Sequence, residues 1–532
     1  MKETSIQQIP YRQTNYFSSI VLDYISANEK LYPFYMHPFS VEGIKAAIEE
    51  RKKYLTDRKV LVAELEKQYN HIGTDEKVKA NIQKLKAANT FTVTTAHQPN
   101  IFTGHLYFIY KILHAIKLAE YLQQALPENN FVPFFYMGSE DADLDELGQI
   151  NIGGEQYQWQ TNQTGAVGRM KVDKPLLKLI DQFSGQLTTH AFGTVIIELL
   201  KSCYKEDDTI ERSTFKIINE LFKAYGLVVL LPDNSALKKL LTPVASKELI
   251  ENFSHKAVDA TVKNFPPEYK VQAAGRDINL FYLKDNSRER ITLDKSLYKV
   301  QNTNLAFTEK ELLADLENNP EQFSPNVILR PVFQEMILPN VAFIGGGGEL
   351  AYWLELKKVF EESNVPLPVM VLRNSFLVID KAAQELMQKL KLTVNDVFEN
   401  ETALINSIVK RQTDKQLSLD KEKESLAAVY KQIEEASGKI DATLTAHTQN
   451  LYTKALKKIE ALEKKMLKAE KKKFDAQQRQ VSKLKSMLFP NGHLQEREEN
   501  LLPWYAKHGK AFIQTIYENS LRLEQEFAVV LL

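Results

Sequence analysis

The sequence predicts an α/β fold in which a doubly wound, mostly parallel sheet carries helices on both faces. Short apolar segments bounded by turn residues alternate with longer segments of helical period, and this alternation is typical of strands joined by crossover helices. Sheets of this kind bind ligands beyond the carboxyl ends of their strands. The predicted strands lie in TFTVTTA, NFVPFFYMGSED, YGLVVLLPD, NVILRPV, NVAFIGGGG and LPVMVLRNS.

The spacing of these segments predicts how the domains are arranged. Two of the gaps between predicted strands are much longer than one crossover helix requires, so we expect an inserted subdomain in each gap. The predicted parts are a helical segment over 1–90, a core over 91–394 with insertions near 152–222 and 240–324, a coiled coil over 395–488, and a segment over 489–532 that returns to the core.

The coiled coil is predicted from a change in composition after residue 394. Residues 395–488 contain no proline and a single glycine, Gly438, which we expect at the tip between two antiparallel helices. Each helix would have about 45 residues and a length on the order of 65 Å. A lysine-rich stretch here could instead bind nucleic acid, but a solvated, dimerising coiled coil is favoured because aromatic residues are scarce. The predicted seam consists of Leu419, Leu426, Val429, Ile433, Ile440, Leu444 and Leu451.

Composition narrows the function classes. The 532 residues carry 68 basic and 68 acidic side chains, so the formal net charge gives no reason to expect a nucleic-acid partner. Cys203 is the single cysteine and is expected to be a small buried residue in a protein of the reducing cytoplasm. The N-terminal residues lack the pattern of a secretory signal, and the apolar runs are shorter than a membrane span needs.

The first candidate site is the loop TAHQPNIFTGHLYFIYK, residues 95–111, between a predicted strand and a predicted helix. We expect Gln98, Thr103 and Gly104 to hold an anion, with Thr103 capping the helix and the first helical amides facing the ligand. His97 and His105 fit two interpretations equally well, as site residues or as polar residues satisfied within a turn.

The second candidate site is the acidic stretch GSEDADLDE at the end of the next predicted strand. Glu140, Asp141 and Asp143 are the candidate catalytic residues, because crowded carboxylates suit a general base or a site for an ammonium group. The alternative, an acidic first helical turn, is favoured for Asp145 and Glu146. The stretch contains no histidine or cysteine, so no metal site is predicted.

Two further candidate sites follow later in the chain. Four consecutive glycines, 345–348, between a predicted strand and helix would let a ligand approach the backbone closely. Arginines at predicted strand ends are candidate anchors for carboxylate or phosphate groups. The candidate binding residues in these two sites are Arg330, Gln334, Gly345, Gly346, Glu349, Tyr352, Arg373 and Asn374.

Taken together, four segments resemble the BshC family, the cysteine-adding enzymes of bacillithiol synthesis. They occur in the family's order and are AHQPNIFTGHLYFIYKILHAIKLA, PFFYMGSEDADLDEL, RPVFQEMILPNVAFIGGGGELAYW and LFPNGHLQER. The resemblance implies a Rossmann-like core with two connecting-peptide insertions, as in class I aminoacyl-tRNA synthetases, and a coiled coil that forms a homodimer. The chain departs from the family pattern at His97, His105 and Ala142, where the family usually has glutamine, proline and histidine.

The resemblance also implies an activity, the joining of the cysteine carboxyl group to the amine of glucosaminyl-malate. A carboxylate and an ammonium do not condense at neutral pH, so we expect ATP to activate the acid and a carboxylate to deprotonate the amine. Arg330 and Arg373 would then bind the malate carboxylates. Two alternatives stay open: a nucleotidyl-transferase or another amide ligase on the same fold, and a non-catalytic nucleotide-binding scaffold.

Overall fold

A computed structural model describes residues 5–70, 72–273 and 275–532. The chain divides into two compact units. The first comprises Met1–Leu377 with His493–Val530, and the second comprises Val378–Gly492 with Leu531–Leu532. The segment after the coiled coil therefore lies largely in the same unit as the predicted core.

The first unit is built around a parallel sheet of five strands. In chain order these are β1 (Thr90–His97), β2 (Asn130–Met137), β3 (Val228–Leu230), β4 (Asn340–Gly345) and β5 (Val369–Leu372). In space they are ordered β5-β4-β1-β2-β3, and every pairing is parallel. The strand order reverses between β1 and β4, which is the topological switch point where doubly wound sheets bind ligands.

Burial explains why these five segments form strands. All residues of β3, β4 and β5 are buried, as are all but one of β1 and of β2, so the apolar runs have a protein layer on each face. The helix α1 (Leu106–Ala125) packs on β1 and β2 and contributes Ala115, Leu118 and Leu122 to the core. The doubly wound parallel sheet predicted from the sequence is confirmed.

The prediction of a strand at NVILRPV is wrong, because these residues begin the helix α2 (Leu329–Ile337). The Asn326 side chain accepts hydrogen bonds from the amides of Ile328 and Leu329, and Pro331 falls in the first turn, where no amide donor is needed. All residues of this helix except Arg330 are buried. Arg330 therefore projects from the start of a helix and not from a strand end.

The chain before β1 is mostly helical, with one short strand, Ser5–Pro10. The periodic stretch from Val41 to Tyr69 forms two helices and not one, since Asp57 accepts the amide of Val60 at 3.0 Å and starts the second. The helices are Tyr11–Thr14, Ser19–Ile25, Val41–Arg51, Arg58–Tyr69 and Glu76–Lys84, with a 3-10 helix over Glu29–Phe34.

Long segments separate β2 from β3 and β3 from β4, and both carry more than a crossover helix. The first contains the strands Gln149–Ile152 and Glu155–Gln158 and the helices Leu144–Leu147, Lys174–Leu187, Gly193–Cys203 and Ile210–Phe222. The second contains the helices Ser235–Lys239, Thr242–Glu251, Phe253–Val262 and Glu309–Asn318, and the antiparallel strands Leu280–Lys284, Ser287–Asp294, Leu297–Val300, Ala306–Phe307 and Phe323–Pro325. We call these two segments the first and second inserted segments.

The remaining elements of the first unit follow β4 and close its C-terminal part. The helix α3 (Gly347–Leu354) begins directly after β4, and Lys357–Glu362 follows it. The C-terminal part contains the helices Leu501–His508 and Lys510–Glu518 and the strand Glu526–Leu531. Cys203 is buried, as predicted, and burial raises the pKa of its thiol to about 11.

The second unit contains a helical hairpin. Its helices are Lys381–Leu390, Glu401–Gln412, Asp420–Gly438, Thr443–Lys471 and Asp475–Leu488. Asp420–Gly438 and Thr443–Lys471 run antiparallel, because Lys423 pairs with Glu463 at 2.7 Å near the base. Ser437 and Thr448 approach to 3.2 Å near the tip. The antiparallel coiled coil is confirmed, with Gly438 ending the first helix.

The prediction of two helices of about 45 residues is wrong, because both arms are interrupted. The hairpin helices have 19 and 29 residues. Over residues 413–419 the helix is interrupted, and polar side chains form hydrogen bonds there that are not part of a helix. Thr413 donates to Glu470 at 3.1 Å, and Gln416 donates to the Ser418 carbonyl at 3.0 Å.

The predicted seam also differs from the contact surface of the hairpin. Ser437, Thr448 and the ring pair Tyr430–Tyr452 meet between the two helices. Val429 and Leu451 of the predicted seam lie one residue before Tyr430 and Tyr452, and most of the predicted seam is exposed. The exposed large apolar side chains of the two helices and of the turn between them are Val429, Ile433, Ile440, Leu444, Leu451 and Leu462. We call these six residues the exposed stripe.

Among the helices of the described ranges, none has the length and apolar character that crossing a bilayer would require.

Candidate active site

A cavity of about 630 Å³ opens at the carboxyl ends of β1, β2 and β4, beside the switch point of the sheet. Its volume lies within the range of about 300–1,000 Å³ that is typical of small-molecule sites. Its charged lining residues are Lys111, Glu140, Asp141, Arg276, Arg288, Arg330, Glu349, Arg373 and Arg497. The six cations outnumber the three carboxylates, so the cavity favours an anionic ligand.

The carboxylates on one side of the cavity follow the end of β2. Glu140 and Asp141 both line the cavity, and Gln98, which follows β1, donates to Asp141 at 3.0 Å. Asp143 lies outside the cavity, where its carboxylate accepts the amide of Glu146 at 3.1 Å and caps a short helix. The geometry thus separates Asp143 from the two acids with which the sequence grouped it.

A buried cluster of charged residues contacts Glu140 on the side away from the cavity. Lys238 forms ion pairs with Glu140 and, at 2.9 Å, with Asp233, whose carboxylate also receives two hydrogen bonds from Arg169 at 2.6 and 2.8 Å. Burial raises the pKa of Glu140, and the Lys238 ammonium opposes that shift. Burial and the nearby Asp233 raise the pKa of Glu211, which also belongs to the cluster, to about 8.

Two arginines form the opposite wall. Arg330 donates to the Tyr352 hydroxyl at 2.7 Å and lies 3.5 Å from the side-chain oxygen of the buried Gln334. Arg288 stacks over Phe281, with 3.9 Å between its guanidinium carbon and the ring centroid. Within the described part of the chain, neither arginine has a carboxylate at ion-pair distance. Both cations are therefore available to an anionic ligand.

Arg373 and Asn374 make their polar contacts mainly in the protein interior and not in the cavity. Arg373 reaches the cavity wall, but its guanidinium forms a buried ion pair with Glu496 at 2.6 Å. Asn374 lies outside the cavity. Its backbone N–H donates to His114 at 3.1 Å, and its side-chain oxygen accepts from the backbone N–H of Leu521 at 2.7 Å. The charge of Arg373 is compensated within the protein, in contrast to that of Arg288 or Arg330.

The glycine loop joins β4 to α3 at the cavity floor. Gly345 ends β4 and Gly346 is the N-cap residue of α3, whose third residue, Glu349, accepts the Gly346 amide at 2.8 Å. Lys111 forms an ion pair with Glu349 and donates to the Ala96 carbonyl at 3.1 Å. Burial opposes the ionisation of Glu349, but Lys111, the Gly346 amide and His97 together outweigh burial and lower the pKa of Glu349. A helix start beside a lysine thus faces the cavity.

The loop after β1 differs from its predicted geometry. Thr103 does not cap α1, because His105 occupies the N-cap position and the amide of Leu106 donates to the Glu499 carbonyl at 2.8 Å. Thr103 and Gly104 lie outside the cavity, and Gly104 has a φ of +58°, a left-handed conformation that favours glycine. The expected anion site at the start of α1 is therefore closed by the C-terminal segment.

The two histidines of this loop differ in position. His97 lines the cavity, with 3.3 Å between its ring and the Tyr107 hydroxyl, while His105 lies outside it. Burial lowers the pKa of His97 to about 3, and Lys111 contributes to the shift. His97 is thus neutral at physiological pH, available as a hydrogen-bonding group and not as a cation.

Sequence reasoning missed five charged residues of the site: Lys111, Arg276, Arg288 and Arg497 in the cavity lining, and Lys238 behind Glu140. Lys111 offered a detectable pattern, since it is a lysine within the continuous apolar stretch of α1. Arg288 lies in the second inserted segment and Lys238 in a short helix after β3, and neither belongs to a motif of the sequence. Only the folded chain brings these two residues to the carboxyl end of β2.

Comparison with known proteins covers nearly the whole chain. Residues 4–374 match the family described as Bacillithiol biosynthesis BshC, N-terminal Rossmann-like domain. Residues 376–532 match Bacillithiol biosynthesis BshC, C-terminal coiled-coil domain. A solved structure titled putative arginyl-tRNA synthetase from Campylobacter jejuni aligns with 10% identity and a TM-score of 0.22, covering 86% of this chain and 100% of that chain. This likeness is too weak to carry an argument.

Three curated relatives share the name "Putative cysteine ligase BshC". The protein of Christiangramia forsetii is 38% identical, and the match covers 98% of each chain. The protein of Flavobacterium johnsoniae is 36% identical over 98% of this chain and 99% of its own. That of Flavobacterium psychrophilum is 37% identical over 98% of each. The resemblance seen in the four sequence motifs is confirmed, and the chain belongs to the BshC family of bacillithiol biosynthesis.

Proposed function

We propose that this protein is a cysteine ligase that joins the carboxyl group of cysteine to the amine of glucosaminyl-malate, with ATP activating the carboxyl group. Family membership and the names of the relatives support the reaction class. The observation that carries the proposal for this chain is the composition of the cavity. Two carboxylates that could bind an amine line one side, and on the other side lie two arginines that have no carboxylate partner among the described residues.

The cationic wall fits the malate part of the acceptor. A malyl group presents two carboxylates, and arginine binds carboxylates through paired N–H donors. Arg330 is held in place by Tyr352, and Arg288 is held by Phe281 and by a 3.0 Å hydrogen bond to Ser324. Arg288 takes the role that the sequence assigned to Arg373, because Glu496 already neutralises Arg373.

The acidic wall fits the amine. Asp141 is held by Gln98 and Glu140 by Lys238, and both carboxylates line the cavity. In the proposed reaction one of them binds the ammonium group and accepts a proton from it, which leaves the nitrogen lone pair free to attack the activated carbonyl carbon. The amide bond forms as the activating group leaves.

The glycine loop, together with two arginines of the cavity, fits an anionic nucleotide. A Cβ at Gly348 would meet no atom within 4 Å, so a ligand could approach the backbone there. ATP would supply the leaving group that turns the cysteine carboxylate into an acyl donor. Arg276 and Arg497 are the further cations of the cavity that would offset its phosphate charge, because Lys111 is already paired with Glu349.

The proposal extends to the setting of the enzyme. Cytoplasmic location agrees with a single buried cysteine. Homodimerisation through the second unit is supported by the exposed stripe, because apolar side chains at heptad spacing favour a second coiled-coil surface. The two inserted segments would correspond to the connecting peptides of synthetase-like enzymes.

Incubation of the purified protein with cysteine, glucosaminyl-malate and ATP, followed by mass spectrometry, tests the proposed function. We expect bacillithiol together with AMP or ADP. No product with any nucleotide would contradict the ligase and favour the scaffold, whereas product without nucleotide would contradict only the activation by ATP. A different amide formed from another amine would favour the alternative ligase.

A further inference from the structure

Lys238 is a fully buried cation that the proposed reaction does not use directly. It lies on the short helix Ser235–Lys239 after β3 and is not part of the cavity wall. Its ammonium contacts one carboxylate oxygen of Glu140, one of Asp233 at 2.9 Å, and the Glu321 carbonyl at 3.2 Å. All three of its N–H donors therefore have acceptors.

Glu140 connects this buried lysine to the cavity. Its Oε1 atom bonds to Lys238, whereas its Oε2 atom has no hydrogen-bond partner among the described residues. Glu140 itself lines the cavity, and the backbone that carries it leaves the sheet at the carboxyl end of β2. One oxygen is thus fixed and the other is available to a ligand.

We propose that Lys238 is a positioning residue for the reaction: it holds Glu140 as a carboxylate with Oε2 directed to the cavity, where this oxygen receives the ammonium group of the acceptor amine. This inference rests on the proposed function. The ammonium would donate to Oε2, and proton transfer would give the neutral amine and the protonated Glu140 carboxyl. Lys238 does not touch the substrate.

The charges around Glu140 oppose one another. Burial raises the pKa of Glu140, Lys238 lowers it, Asp233 raises it and Arg288 lowers it. The charged and titratable groups that act on it or respond to it are Lys238 and Asp233 after β3, Arg169 and Glu211 of the first inserted segment, Arg288 of the second, and Tyr136 of β2. Lys238 is the strongest of the groups that lower the pKa of Glu140, so its removal should favour the protonated carboxyl.

The same cluster also fastens the inserted segments. Arg169 of the first segment donates to the Glu321 carbonyl of the second at 2.9 Å, and Lys238 donates to the same carbonyl. A substitution at Lys238 could therefore lower stability alone. The test must include a quantity that a purely structural role would not move, namely the pH at which Glu140 takes up a proton.

Two substitutions that should shift the pH of Glu140 protonation in opposite directions provide that test, and a substitution of a neighbouring lysine is the control. Lys238→Met removes the cation, and Asp233→Asn removes the like charge that competes for it. Lys239→Met alters the next residue of the same helix, which is exposed and pairs with Glu317 on the surface. Carbodiimide coupling of glycine ethyl ester to the full-length protein, followed by peptide mass mapping, reports the protonated fraction of Glu140 against pH. The exposed carboxylate of Glu198, which none of the three substitutions touches, provides the internal reference.

We expect the Glu140 midpoint to rise by about one pH unit or more in Lys238→Met, to fall in Asp233→Asn and to stay unchanged in Lys239→Met. The acid limb of the pH profile of kcat/KM for ligation should move in the same directions. If Lys238→Met does not fold, the shift of the Glu140 midpoint in Asp233→Asn tests the inference in its place. Equal midpoints in the folded variants would overturn the inference. If the wild type makes no amide, the proposed function fails, and the labelling midpoints still decide whether Lys238 controls Glu140.

Discussion

Arg330 donates from Nη2 to the hydroxyl of Tyr352 at 2.7 Å, and this bond links the start of α2 to the middle of α3 across the cavity wall. Neither residue is part of the central sheet. Arg330 has no carboxylate partner in the part of the chain that the structure describes, and the bond holds its guanidinium in a fixed direction. Fixed donors bind anions with little loss of side-chain freedom.

Arg330→Met should lower kcat/KM for the acceptor amine by about 10- to 100-fold, because a hydrogen bond to a charged group contributes roughly 1.5–3 kcal/mol. Tyr352→Phe keeps the cation and removes only its support, so we expect a smaller loss, of about tenfold or less. Steady-state kinetics with varied glucosaminyl-malate measure both. Equal losses for the two variants would contradict the role of Arg330 as the anion contact.

The pair Arg373–Glu496 is expected to govern stability. Both side chains are buried and lie in the first unit, so Glu496→Gln leaves an uncompensated cation inside the protein. The free energy of unfolding should fall by about 3–5 kcal/mol. Replacing both residues by apolar side chains should cost less than Glu496→Gln alone. Thermal unfolding of the variants tests this, and a stable Glu496→Gln protein would show that the pair contributes little.

The raised pKa of Glu211 predicts that the stability of the folded protein depends on pH. Its pKa is raised from 4.5 to about 8 by burial and by Asp233, so the folded chain keeps a proton that the unfolded chain releases between these values. The free energy of unfolding should therefore fall as pH rises through that window, by up to about 1.4 kcal/mol per pH unit. Glu211→Gln should remove this slope, whereas the exposed Glu198→Gln should keep it. Chemical denaturation at several pH values measures the slope.

The exposed stripe predicts the effect of charge on association. Ile433→Glu and Val429→Glu place carboxylates where apolar side chains would meet a second copy, and should convert a dimer into a monomer. Lys431→Glu, on the same helix but outside the stripe, should leave the dimer intact. Light scattering after size-exclusion chromatography gives the molar mass. A wild-type monomer would remove the basis for this prediction.

Patterns along the chain predicted the parallel sheet because its strands are continuous buried apolar runs flanked by turn residues. They failed at NVILRPV, where Asn326 caps a helix that local β-branched residues do not favour. They failed again at residues 413–419, where side-chain hydrogen bonds interrupt the coiled-coil helix. Short-range periodicity does not contain these competing contacts.

The candidate site was predictable where its residues follow strands directly, as Gln98, Glu140 and Asp141 do. It was not predictable where function depends on a distant partner. The sequence pattern of Arg373 predicts an anion contact, but Glu496 neutralises this arginine in the fold. Asp143 is equivalent to Asp141 in the sequence, but in the fold it caps a helix. Lys238 and Arg288 reach the site only through long-range packing.

The comparison of Asp141→Asn with Asp143→Asn tests the central claim most directly, because the two acids are two residues apart and only Asp141 lines the cavity. Asparagine also caps helices, so Asp143→Asn preserves the local structure. With bacillithiol formation followed by mass spectrometry, Asp141→Asn should lose about 10- to 100-fold in rate, because it removes a carboxylate that would bind the ammonium group beside Glu140. Asp143→Asn should stay within about threefold of the wild type. Equal rates for the two variants, or a greater loss in Asp143→Asn, would contradict the assignment of this cavity as the active site.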